Sequence, residues 1–400
     1  MHSSQLLILG NGFDLHCGLK SAYKDFFQST ILDTIGGRFG LQQMKAGVSG
    51  FWETLLLEYY KKFGNIDYNW CDIETIIKDT VFTIGCQHSG FAFNALASVK
   101  RVEDTYDAIK TLNDPIEKFL YNYCMSVFYS NIKKTYSDDE LYSLLLDNIL
   151  KELHKFERRF CNYIKDSIVN FDNGKKLNEQ YIVNALNLLN ILAGFSNKHY
   201  EKINDIIERQ EEDYCTLMQE FANLNSTYIL SFNYTDLFDI LGVQSPCLYN
   251  NVHGKLCLNM CAENCTDCNI IFGIDDTVIQ SQDENSELHK FSKTYRKMLN
   301  INASTRILPA KDNQLIDIKF YGHSLSEADY SYFQSIFDYY NLYENNKVSL
   351  TFYYSKGFEQ TEKVYRLINT YGKTLSNKDQ GKNLTHKLLL ENRLKIIEIS

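Results

Sequence analysis

Five apolar runs in this chain are each followed at once by residues able to hydrogen-bond or to exchange protons. Gln5–Leu9 leads into Gly10-Asn11-Gly12-Phe13-Asp14, with Gly18 further on. Thr227–Phe232 leads into Asn233-Tyr234-Thr235-Asp236, and Leu248–Val252 into His253-Gly254-Lys255. Ile270–Phe272 leads into Gly273-Ile274-Asp275-Asp276, and Ile316–Tyr321 into Gly322-His323-Ser324-Leu325. These types suit chemistry on a nucleotide. Closely spaced glycines let backbone amides approach a phosphate, an asparagine amide orients water or a sugar hydroxyl, and histidine takes a proton near neutral pH. Two other readings use the same residues. Asp14, Asp236, Asp275 and Asp276 around divalent ions would suit a metal-dependent nuclease. A pocket that binds a nucleotide without turnover would suit a sensor acting through a partner.

Each residue also has a structural reading. Asn233 could cap a short helix beginning near Thr235, a task Thr235 or Asp236 could share. His253 could be a turn histidine bonded to a carbonyl. Ser326 with Asp329 three residues on reads as a capping box, which makes Asp329 structural. Asp275 and Asp276 read equally as a solvated turn, and His16 and Cys17 as packing residues on a first helix. The glycine spacing departs from the dinucleotide fingerprint, whose third glycine is replaced by Leu15. Cys257, Cys261, Cys265 and Cys268 have zinc-ligand spacings, but their short span leaves little chain to wrap an ion. Reduced loop cysteines are the preferred reading there, ahead of structural zinc.

The elements that must hold these residues are legible as periodicity. Further strand-like runs stand at Val348–Tyr353 and Leu394–Ile397, and strands alternating with helices favour a parallel sheet. Ligands bind such sheets at the carboxyl ends of the strands, where the residues above fall. Between the first two strands the chain reads as helical. Leu145, Ile149, Leu153, Phe156, Phe160 and Ile164 make one apolar face, and Ile116–Phe128 and Ile203–Phe221 show similar patterns. The expectation is an α/β, Rossmann-like domain at residues 1–30 and 226–400, with a helical insertion domain at 31–225.

With 400 residues and a net charge of −9, the chain is poorly suited to wrap nucleic acid by neutralising phosphates. No apolar run approaches the roughly 20 residues that span a bilayer. The N-terminal run lacks a preceding basic region, and the 11 cysteines are odd in number and scattered. A cytoplasmic protein with reduced thiols is expected, with no membrane partner.

The motifs together resemble the bacteriophage abortive-infection AbiH family, from Leu6 to about Tyr354. They comprise the Gly10–Leu19 segment, Asn69-Trp70-Cys71-Asp72-Ile73-Glu74, Ser231-Phe232-Asn233-Tyr234-Thr235, Val252-His253-Gly254, Phe272-Gly273-Ile274-Asp275-Asp276 and Tyr321–Asp329. More distantly, the order is similar to that of sirtuin-like NAD-binding domains. Gly10, Gly12 and Gly18 match their glycine turn, Asn233 their Thr-x-Asn-x-Asp element, His253-Gly254 their His-Gly pair, and Gly322, Ser324 and Leu325 their late Gly-x-Ser-Leu. Ser231 and Thr235 replace the flanking Thr and Asp, and Lys20, Ser21 and Ala22 stand where deacetylating sirtuins carry Pro and Arg. The resemblance therefore implies NAD cleavage by water rather than deacetylation, in antiphage defence. It implies catalysis by Asn233 and His253. In this reading the amides around Gly10, Asn11, Gly12 and Phe13 hold the pyrophosphate, Gly322 and Ser324 sit near the adenosine half, and Asp14 and Asp236 are lesser candidates for ribose contacts. A protein partner or phage trigger engaging the helical insertion, and self-association, stay open.

Overall fold

Leu6, Leu7, Ile8 and Leu9 are all buried, so the first strand is apolar on both faces, as a parallel strand between helical layers requires. The computed structural model describes residues 4–34, 42–47, 49–63, 70–85, 95–96, 112–131, 136–170, 176–194, 227–242, 244–245, 247–256, 269–276, 279, 287–299, 308–310 and 315–399. Six strands form one sheet: β1 (Ser4–Leu9), β2 (Thr227–Ser231), β3 (Leu248–Asn251), β4 (Ile316–Tyr321), β5 (Val348–Ser355) and β6 (Leu394–Ile399). Their spatial order is β3-β2-β1-β4-β5-β6, and every neighbouring pair is parallel. This is the strand order of doubly wound nucleotide-binding sheets, and the order reverses between β1 and β4. The expected Rossmann-like fold is what forms.

Among the described residues, Ile270–Phe272 adds no strand to that sheet. Instead the Phe272 N–H donates to Glu157 (2.7 Å), and the Phe272 carbonyl accepts from Arg296 (2.6 Å). Side chains therefore take the backbone bonds that a ladder would have used.

The chain divides into two compact units, Met1–Ser21 with Ile164–Ile270 and Ile301–Ser400, and Ala22–Tyr163 with Ile271–Asn300. This division differs from the expected one in three places, the first being residues 22–30, which fall within the second unit. Helix Glu179–Ala193 falls within the first unit, and Ile271–Asn300 falls within the second. The first unit holds the sheet and helices α1 (Gly12–His16), α2 (Glu179–Ala193), α3 (Leu237–Ile240), α4 (Tyr330–Tyr340), α5 (Thr361–Thr374) and α6 (Lys378–Leu390). Buried Lys319 explains why α2 belongs there: it donates to the Leu192 carbonyl (2.9 Å) and to Gln5 (2.8 Å). A cation at the last carbonyls of a helix satisfies acceptors that have no partner within it.

The second unit contains helices Phe51–Phe63, Trp70–Gly85 and Pro115–Asn131, and most of Asp138–Ile168. Its core includes ring contacts among Phe26, Phe156, Phe160 and Phe272, and a two-point Glu157–Arg296 ion pair (2.6 and 2.7 Å). The apolar stripe from Leu145 to Ile164 is buried, as expected. Residues 203–221 and 257–268 lie outside the described residues, as does position 69. No helix among the described residues is long and apolar enough to cross a membrane.

At the point where the strand order reverses, the turns after β1 and β4 meet backbone to backbone. A Cβ on Gly10 would lie 2.4 Å from the His323 Cα, and one on Gly322 would lie 2.4 Å from the Phe13 nitrogen. Gly18 is different, with φ +91 and nothing within 4 Å. Gly10→Ala should therefore lower the unfolding free energy by about 3 kcal/mol, near the top of the overpacking range. Gly18→Ala should cost only about 1 kcal/mol, from left-handed backbone strain. Urea titrations of both variants would separate these effects, and a Gly10→Ala loss no larger than that of Gly18→Ala contradicts the close approach.

Candidate functional site

Asn233, His253, the Gly10 turn and the Gly322 turn all follow the carboxyl ends of adjacent strands, β2, β3, β1 and β4. The loop after β2 is held from below. The Asn251 side chain donates to the Asn233 carbonyl (2.8 Å) and the Thr235 carbonyl (2.9 Å), and the Asn233 N–H donates to Ser231 (3.2 Å). Asp236 caps α3 by accepting from the Phe238 and Asp239 amides at 3.0 and 3.3 Å. Asn233 is thus released from capping. The residue is 2% exposed, and neither its amide oxygen nor its amide nitrogen has a partner among the described residues.

His253 is fixed by what stands around its ring. Gly254 must be glycine, because at φ +82 a Cβ would overlap the Asn269 carbonyl. The His253 Nε2 lies 2.9 Å from one oxygen of Asp329, and the other oxygen lies 3.3 Å from the His323 Nε2. The Phe232 ring packs edge-on against both imidazoles, with centroids 5.4 and 4.6 Å away, and Tyr332 stands 5.7 Å from His253. Asp329 and both histidines are buried. The capping box expected at Ser326 and Asp329 does not form, since the Ser326 side chain makes no cap bond and Asp329 turns to the histidines. Asp329 and His323 are the members that sequence reasoning missed. The available signals were that both lie in the Tyr321–Asp329 motif and that His323 directly follows the Gly322 turn.

The expected nucleotide contacts divide. The Gly10 amide donates to the Tyr321 carbonyl (2.9 Å), the Gly12 amide to Gly322 (2.8 Å) and the Phe13 amide to Gly10 (2.8 Å). Those three amides donate within the fold itself. The Asn11 side chain is likewise tied to Ser21, accepting from its hydroxyl at 2.6 Å and donating to its carbonyl at 3.3 Å. Asp14 is buried and accepts from the Tyr181 hydroxyl (2.8 Å) and the Thr235 hydroxyl (2.7 Å). It joins α1 and α2 to the loop that carries Asn233. Burial raises the Asp14 carboxyl to about 6 despite these two donors, and burial also raises Asp236. Ser324 is exposed, and Asp275 and Asp276 fall in the second unit. Burial pushes the Cys17 thiol up, which keeps it unreactive. Among the described residues, no group of three or more His, Cys, Asp or Glu stands in an arrangement that could hold a metal ion.

The family model described as "Bacteriophage abortive infection AbiH" matches residues 6–354. The chain belongs to that family, and its role is in antiphage abortive infection. No curated protein and no solved structure matches the chain.

Asp14 also makes stability depend on pH. Its carboxyl titrates near 6 when folded against 3.8 as a free group, so the folded state binds the proton more tightly. That contribution is complete below pH 3.8 and is lost as pH rises through about 6. Asp14→Asn should flatten the decline in stability across this interval, as measured by urea titrations at several pH values. Parallel wild-type and variant profiles contradict the assignment.

Proposed function

We propose that the protein binds NAD and hydrolyses its nicotinamide–ribose bond during abortive infection. The observation that carries this reading is the Asn233 side chain, buried with no partner among the described residues, one strand away from His253. An amide buried without hydrogen bonds costs about 1–3 kcal/mol. A chain that keeps such a cost at the carboxyl edge of a nucleotide-binding sheet gains most if a ligand supplies the missing bonds.

The chemistry asks little of acid catalysis. Nicotinamide leaves from a cationic pyridinium, so its departure needs no proton. The enzyme must stabilise an oxocarbenium-like ribose and present a nucleophile, as in glycoside hydrolysis. Asn233 orients the water and the ribose on the nicotinamide side, and His253 takes the proton as the water attacks. The resemblance to sirtuin-like domains supports the same two residues. With the Gly10, Gly12 and Phe13 amides occupied, the glycine turn acts by placing the loops, and the pyrophosphate is held elsewhere.

Purified protein incubated with NAD should release nicotinamide and ADP-ribose, and Asn233→Ala should reduce the rate by about 100-fold or more. The same variant should be as stable as the wild type or more so, since it removes an unsatisfied buried amide. Saturable NAD binding with no nicotinamide released would overturn hydrolysis in favour of the sensor.

A further inference from the structure

We infer that Asp329 is a positioning residue, itself oriented by His323, that keeps the proton of His253 on Nε2 and so presents Nδ1 as the base. This rests on the proposal that His253 takes a proton from water.

The argument starts at a strained residue. Leu325 has φ +55, a left-handed conformation that a branched side chain seldom adopts. In that conformation its N–H donates to the His323 Nδ1 at 2.9 Å. An amide N–H can only donate, so the His323 Nδ1 carries the lone pair and its Nε2 carries the proton. That proton points to Asp329, 3.3 Å away. A second backbone restraint holds the same turn: Gln360 donates to the His323 carbonyl at 3.1 Å. The protonation of His323 is thereby written into the backbone.

Asp329 then has one oxygen committed to a donor and the other 2.9 Å from the His253 Nε2. With the carboxylate ionised, a bare Nε2 at this distance would set two lone pairs against each other. The stable tautomer of His253 carries its proton on Nε2 and donates it to Asp329, which leaves Nδ1 basic. Among the described residues, Asp329 and the edge-on Tyr332 are titratable groups that face His253, with His323 across the carboxylate. The proton balance follows. Water gives one proton to the His253 Nδ1 as its oxygen bonds to the ribose carbon, and nicotinamide leaves with the electron pair of the broken C–N bond. The imidazolium so formed faces a carboxylate, and Nδ1 then returns its proton to solvent.

Replacing Asp329 by Asn tests this sharply, because the amide has one acceptor and one donor end. His323, locked as an Nε2 donor, must take the carbonyl end. The NH2 end then faces the His253 Nε2 and drives that ring to the opposite tautomer, with the proton on Nδ1. Nitrogen-15 NMR of the imidazoles in the full-length chain reads this directly. The wild type should show Nε2–H on both rings, and D329N should switch His253 alone. In turnover, D329N should lower kcat by about 100-fold while KM changes little, and should move the acidic limb of the pH profile downward, with D329E restoring part of the rate. A wild-type His253 already protonated on Nδ1, or an unchanged tautomer and pH profile in D329N, would overturn the inference. The wild-type spectrum decides even if D329N fails to fold. The expected tautomers with no nicotinamide released would instead reject NAD hydrolysis and leave the positioning intact.

Discussion

Two turns touch at backbone distance where the strand order of the parallel sheet reverses, and the site is built outward from that contact. Gly10 and Gly12 after β1 and Gly322 after β4 pass so closely that a methyl group on any of them meets main-chain atoms. Backbone hydrogen bonds from Gly10 to Tyr321 and from Gly12 to Gly322 close the junction. The contact fixes the backbone at His323, whose imidazole then orders Asp329, which in turn orders His253 on the far side of Phe232. A glycine pattern usually read as a phosphate cradle works here as a joint between loops.

Around that joint the buried polar groups fall into two classes. Asp14, Asn251 and Lys319 are engaged by protein donors and acceptors, and each ties one loop or helix to another. Asn233 is also buried and, among the described residues, has no such bonds. Folding alone gives no reason to keep that amide, whereas a ligand that completes it does. The strained backbone at Leu325 fits the same division, since its one visible return is the orientation of a histidine.

Much of this was readable in the sequence. Strands such as Leu6–Leu9, apolar on both faces, and Ile316–Tyr321, apolar on one, stand out in the sequence, and their carboxyl ends mark the site. Asn233 and His253 follow directly from that rule. Asp329 was not readable, because Ser-x-x-Asp is also the local pattern of a cap, and only the tertiary approach of two histidines decides against it. Nor was the use of the glycine amides, since spacing cannot say whether a close neighbour is a phosphate or another turn. Ile270–Phe272 looked like a strand because burial is legible in an apolar run, whereas its hydrogen-bond partners, Glu157 and Arg296, are distant in sequence. The place of α2 depends likewise on Lys319, more than a hundred residues away.

Membership of an abortive-infection family gives the site its biological setting, and loss of NAD would halt an infected cell without any specific attack on the phage. The most direct test follows NAD content over time in phage-challenged cells that express the wild type or Asn233→Ala. The account predicts that NAD falls after infection with the wild type alone, together with protection of the culture. Full protection by the wild type with NAD unchanged would contradict it.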